Sequence, residues 1–125
     1  MYSLSAAAIA FAMPGGEGSA APRAPRPVDL AHLARQTLGD RALEQEVLKL
    51  FRHQAIAARD QIAEADAKER LRLAHNLKGS ARGVGAFAIA DCVAELETRP
   101  DDERLLTRLS TLINEASDFI AAISR

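Results

Sequence analysis

The 125 residues, 48% hydrophobic and 26% charged, leave room for one domain with a single core and are too apolar for a chain disordered throughout. A formal net charge of −1 excludes a global field that draws nucleic acid or anionic membrane, so any electrostatic function must be local. The one cysteine, Cys92, excludes an internal disulfide and points to a reducing, cytoplasmic setting, and no apolar run nears the ~20 residues that span a bilayer.

Aromatic residues make up only 4% of the chain and Trp is absent, whereas helix-forming Ala, Leu and Arg are plentiful. The expected class is all-α. At the N-terminus, Ala6 to Met13 is apolar and Ala10-Phe11-Ala12 has small-x-small spacing, but no Lys or Arg precedes it, so a secretory signal is not expected. Pro14 to Pro27 is rich in Pro, Gly and Ala and reads as a flexible tether. Residues 1–27 are thus expected to form a tail, and 28–125 the folded domain.

From Val28 the punctuation is helical. Asp29 caps a short helix expected to reach about Leu38, where Gly39 stops it. Asp40 caps a long helix whose predicted apolar stripe is Leu43, Val47, Leu50, Phe51, Ala55, Ala58 and Ile62, a 3.6-residue period. Asp66 and Glu69 resemble a capping box that opens a third helix, with Leu73, Leu77, Ala81 and Val84 inward and Gly83 and Gly85 near its end. A fourth helix, from about Ala86 to Arg99, turns Ile89, Ala90, Val93 and Leu96 inward and stops before Pro100. Asp101 and Asp102 favour the start of a last helix, predicted to bury Leu105, Leu109, Leu112, Ile113, Ala116, Ile120 and Ile123. Four amphipathic helices on short loops predict an antiparallel four-helix bundle, with the short extra N-terminal helix covering one end.

The third helix carries the candidate chemistry. His75 lies two residues before the inward Leu77, about 200° away, and so faces solvent. On its face Arg82 and Lys68 lie about 20° away, Gly79 about 40°, and Arg72 and Lys78 about 60°. The expectation is an imidazole ringed by four cations and one glycine, with no carboxylate on that turn. Neutral imidazole is a good nucleophile near pH 7, and Lys and Arg beside it stabilise a phosphoryl group on the ring, which adds about two negative charges. Gly79 costs a helix about 1 kcal/mol relative to Ala, and close approach of a partner to the ring would account for it. A lone surface histidine in a solvated charged face is usually only that, so geometry alone leaves both readings open.

His75-Asn76-Leu77-Lys78-Gly79-Ser80-Ala81 resembles the His-x-Leu-Lys-Gly signature of the histidine-containing phosphotransfer (HPt) family. Leu38-Gly39-Asp40, Leu50-Phe51, Gly85, and Cys92 with Leu96-Glu97 extend the resemblance over about Val28 to Ile123. It implies a phosphorelay intermediate, without a kinase domain of its own, that exchanges phosphoryl groups with aspartates of response-regulator receiver domains or takes them from a sensor histidine kinase. It makes His75 the phosphoacceptor, at Nε2. Lys78 becomes the neutraliser of phosphoryl charge, Gly79 the point of receiver access, and Ser80 a small packing residue. Glu97, where some members have Gln and others Glu, would lie near the ring, where a carboxylate either orients the imidazole and raises its pKa or repels the phosphoryl group, and the sequence does not choose between them. Arg72, Arg82 and Lys68 join Gly79, Ser80 and Glu97 as candidate partner contacts. The resemblance leaves Mg²⁺ to the receiver partner, and a monomer is expected.

Other clusters carry less. His32, His53 and Cys92 have no metal-ligand spacing; the histidines read as surface or interface residues and Cys92 as a buried small hydrophobe. No metal site is expected. Leu33, Leu38 and Leu43 are candidate apolar contacts for a docking receiver. The alternative function is a helical adaptor that binds a receiver or kinase on this face without carrying phosphate. A two-helix kinase hairpin that dimerises into a bundle is a third reading, disfavoured because this chain supplies all four helices.

Overall fold

Aspartates start most of this structure. In a computed structural model that describes residues 26–124, four of the five helices among the described residues begin at an Asp whose carboxylate accepts a backbone N–H of the first turn. Asp29 caps α1 (Leu30–Gln36), Asp40 caps α2 (Arg41–Glu64), Asp66 caps α3 (Ala67–Val84) and Asp102 caps α5 (Glu103–Ile123). The remaining helix, α4 (Phe87–Thr98), has no side-chain cap. It is launched by the turn before it. Gly85 sits in the left-handed region at φ 92°, and Gly85 and Ala86 both donate to the Ala81 carbonyl. The Gly85 carbonyl in turn accepts from Asp29 N–H at 2.9 Å, and a Cβ at Gly85 would stand 2.8 Å from the Asp29 carbonyl oxygen. That turn therefore needs glycine, and it ties α1 to the α3–α4 corner.

Helices α2, α3, α4 and α5 pack in a ring, each on the next and α5 back on α2, while α1 lies across α3 and α2. Arg52 of α2 reaches the Ser117 hydroxyl of α5 at 2.8 Å, and Arg59 reaches Asn114, so the two helices run antiparallel. The expected all-α four-helix bundle with an added N-terminal helix is what forms. Apart from Arg26 and Pro27, the expected tail of residues 1–27 lies outside the described residues. No helix among the described residues is long and apolar enough to cross a membrane.

Several details differ from the sequence expectation. Helix α1 ends at Gln36, because the Thr37 hydroxyl hydrogen-bonds back to the Leu33 carbonyl and both Leu38 and Gly39 take positive φ. In α2 the core stripe is Leu48, Phe51, Ala55, Ala58 and Ile62. Leu43 and Leu50, predicted inside, are 46% and 59% exposed, and Val47 is half-buried. Leu50 lies about 200° from Leu48, so burial of one turns the other outward. In α3 the inward position is Ala74 and Leu73 is half-buried; in α5 Leu112 and Ile123 are half-buried and Ser117 is buried. Leu33, expected as a surface contact, is 1% exposed and belongs to the core. His32, expected outside, is buried with its ring edge-on to Phe87 at 5.1 Å, and neither ring nitrogen has a hydrogen-bond partner. Cys92 is buried as expected.

The end of the bundle opposite α1 is fastened by Arg70. Its guanidinium donates to the carbonyls of Ile62 (3.1 Å), Ala65 (3.0 Å) and Pro100 (2.9 Å), joining the α2–α3 and α4–α5 loops, and its side chain is only 12% exposed. Arg70→Met keeps the stem but strands these acceptors. It is expected to lower stability by about 2 kcal/mol, read as a reduced urea midpoint with unchanged slope.

Candidate functional site

His75 stands on α3 with its side chain 71% exposed, as the helical projection requires. Its Nδ1 lies 3.0 Å from Glu97 Oε2, which reaches over from the last turn of α4. The other carboxylate oxygen, Oε1, accepts from Lys78 Nζ, one turn along α3 from His75. Lys78 and Glu97 are 15% and 24% exposed, so the pair is sheltered beneath the open ring. The Lys78 hydrogen bond, followed by that from His75, holds the Glu97 carboxyl below its usual range against the opposing effect of burial.

An ionised Glu97 accepts and cannot donate, which fixes the ring tautomer. In the neutral ring this contact selects the tautomer with the proton on Nδ1, toward the carboxylate, which leaves the Nε2 lone pair free. Imidazole, carboxylate and ammonium together carry no net charge when the ring is neutral.

The remaining predicted residues divide. Gly79 is exposed, and a Cβ built on it meets nothing within 4 Å, so the fold itself places no demand for glycine there. Gly79→Ala is expected to raise stability by about 0.5–1 kcal/mol in thermal or denaturant melts, through helix propensity alone. Ser80 is half-buried on the flank facing α2. Arg72 is committed locally, its Nε 3.0 Å from Glu69 Oε1 and its Nη2 on the other oxygen, and these bonds hold the Glu69 carboxyl below its usual range. The turn that carries His75 has no carboxylate of its own, but the expected ring of four cations is corrected, because two are paired: Glu69 from the preceding turn takes Arg72, and Glu97 from α4 takes Lys78. Lys68 and Arg82 are exposed and have no ion-pair partner among the described residues. Also among the described residues, no three His, Cys, Asp or Glu side chains are grouped so as to hold a metal ion.

A four-helix bundle that presents an open imidazole, anchored from below by a carboxylate, defines a histidine-displaying helical module. The Hpt domain family model matches residues 46–119, more than half of the chain, from the second turn of α2 into the last turns of α5. The chain belongs to the Hpt domain family, whose members carry out histidine phosphotransfer in phosphorelays. Neither the comparison with curated proteins nor that with solved structures gave a match.

Proposed function

We propose that His75 accepts a phosphoryl group from an aspartyl phosphate on a response-regulator receiver domain, or from a sensor histidine kinase, and passes it on. The observation that carries this reading is the Glu97–His75 hydrogen bond, which engages Nδ1 and, in the neutral ring, frees Nε2 as the nucleophile of a side chain that is 71% exposed. In the step, the Nε2 lone pair forms a bond to phosphorus while the phosphorus–oxygen bond to the aspartyl carboxylate breaks. The aspartate leaves as a carboxylate, and the imidazole proton stays on Nδ1. The ring thereby becomes cationic, and Glu97 stands against that developing charge, the part a buried aspartate plays behind a catalytic histidine. Lys78 offsets Glu97, so the carboxylate does not confront the incoming phosphoryl group uncompensated.

Lys68 and Arg82, on the same face, supply cations toward a phosphorylated, acidic partner site, and Gly79 opens the approach to the ring. Mg²⁺, on this reading, arrives with the receiver. The chain acts as a monomer, supported by a bundle whose four sides one chain closes. It brings no kinase activity and depends on its partners for reaction.

Mapping the label after incubation with a phosphorylated receiver domain tests the proposal. Acid-labile, base-stable phosphate on the peptide that contains His75 supports it. Label on the peptide of the other exposed histidine, His53, or no transfer despite binding, overturns it. Gly79→Gln is expected to slow transfer about tenfold or more with melting unchanged or improved, because a long side chain now stands one turn from the ring; an unaltered rate would show that no partner approaches there.

A further inference from the structure

Away from the His75 face, the α4–α5 corner encloses a cleft of about 370 Å³, within the ~300–1,000 Å³ of sites that take small molecules. Its position follows from α4. Glu95 lies two residues before Glu97, about 200° around the helix, so the turn that sends Glu97 to the imidazole sends Glu95 to the other side. Arg99, Asp102, Arg104 and Arg108 complete the lining, and Leu105 lies buried beneath them. Apart from Leu105, every lining side chain is charged. Asp101, next in the loop, is drawn off to Arg70 at 3.5 Å.

The charges in this cleft are poorly spent on one another. Elsewhere Arg52, Arg59, Arg70 and Arg72 each donate at least two hydrogen bonds of 3.2 Å or less. The guanidiniums of Arg99, Arg104 and Arg108 together make a single one among the described residues, from Arg99 to Glu95 at 3.4 Å. The other pairings are longer still, Arg99 to Asp102 at 3.6 Å and Arg108 to Glu95 at 3.9 Å. Arg104 has no ion-pair partner among the described residues. Asp102 meanwhile uses Oδ1 to cap α5. Three planar forks thus converge with most of their donors uncommitted, and exposed pairs this loose are exchanged at little cost.

The two carboxylates decide what such a cleft accepts. A bare anion would meet Glu95 and Asp102 as well as the arginines, and a bare cation would meet three guanidiniums. The lining carries an excess of one positive charge. A ligand that opposes every group therefore has two anionic groups, one cationic group and an excess of one negative charge. A free acidic amino acid has this composition at neutral pH. We propose that the cleft binds free glutamate or aspartate, with the ligand's carboxylates on the arginine forks and its ammonium on Glu95 and Asp102. The site needs nothing from phosphotransfer and leaves the His75 face open.

Titration of the full isotope-labelled chain with L-glutamate, followed on backbone amides and arginine Nε–H groups, tests the proposal. Shifts that saturate below about 10 mM are expected at Glu95, Arg99, Arg104 and Arg108, while His75 and Gly79 stay unmoved. Glutarate keeps both carboxylates and lacks the ammonium, and it is expected to bind at least about tenfold more weakly. Arg104→Gln and Arg108→Gln should each weaken glutamate about tenfold with melting unchanged, since both side chains are exposed. Glu95→Gln should weaken glutamate by a similar factor yet leave glutarate bound no worse, a split that general loss of structure does not produce. The proposal is overturned by the absence of a saturable shift, or by glutamate shifts that persist in both arginine variants. Equal binding of glutarate or inorganic phosphate also overturns it, because the cleft would then take any anion, as does a Glu95→Gln effect equal for both ligands. None of these readouts depends on phosphoryl transfer, so the outcome leaves the role of His75 to its own test.

Discussion

Replacement of His75 by Gln is expected to abolish phosphoryl acceptance from a phosphorylated receiver while stability stays within about 0.5 kcal/mol of the parent. Two facts drive the pair of outcomes. The side chain is 71% exposed and its one hydrogen bond is to Glu97, which keeps Lys78 as a partner after the change, so little packing and no buried group is lost. The Gln amide can still donate to Glu97, but it has no basic nitrogen with a free lone pair and cannot form the bond to phosphorus. Receiver binding, measured separately by calorimetry, should survive within severalfold, because shape and charge on the face are nearly kept. Residual acid-labile labelling of the variant would mean that another group is phosphorylated. Labelling lost together with binding would instead mean that His75 is chiefly a docking residue, as an adaptor would use it.

The parts of this arrangement that sequence made legible are those that live on one helix. His75, Lys78 and Gly79 follow from a 100° projection of α3, and the aspartate caps fixed the helix starts to within a residue or two. What needed the fold was every relation between helices. Nothing in the spacing from His75 to Glu97 says that the last turn of α4 overlies the middle of α3; that depends on the tight Gly85 turn and the register it imposes, and only the family pattern pointed to it. Nothing in the helical pattern singles out Arg70, because its acceptors are carbonyls of the last turn of α2 and of two loops that periodicity does not locate. The choice of Leu50 over Leu48 in α2 failed for a related reason. Two apolar stripes lie side by side there, and composition cannot tell which one faces the core and which one lines a groove.

Lys78→Met is expected to slow phosphoryl transfer about 10- to 100-fold, and the same change in a Glu97→Gln background is expected to cost far less. The expectation follows from where the ammonium goes. It is spent on Glu97 in the unphosphorylated state, so its removal leaves a carboxylate, sheltered and uncompensated, about one ring-width from the site where a doubly charged group must arrive. With Gln at position 97 there is no such charge to offset. A loss of full size in that background would place Lys78 directly on the phosphoryl group, as the family resemblance suggested. The ion pair also predicts a pH signature. Because the folded-state pKa of Glu97 is depressed, chiefly by Lys78, its contribution to stability is complete above the ordinary carboxylate range and is lost as pH falls through the depressed value. The difference in melting temperature between the parent and Glu97→Gln should therefore be constant from pH 8 down to about 5 and shrink below about 4. A difference that instead changed between pH 8 and 6 would show that the titration of another group, not of Glu97, governs the contact. Constancy through the neutral range is what the transfer chemistry requires, since Glu97 can hold the Nδ1 proton and aim Nε2 outward only while it remains ionised.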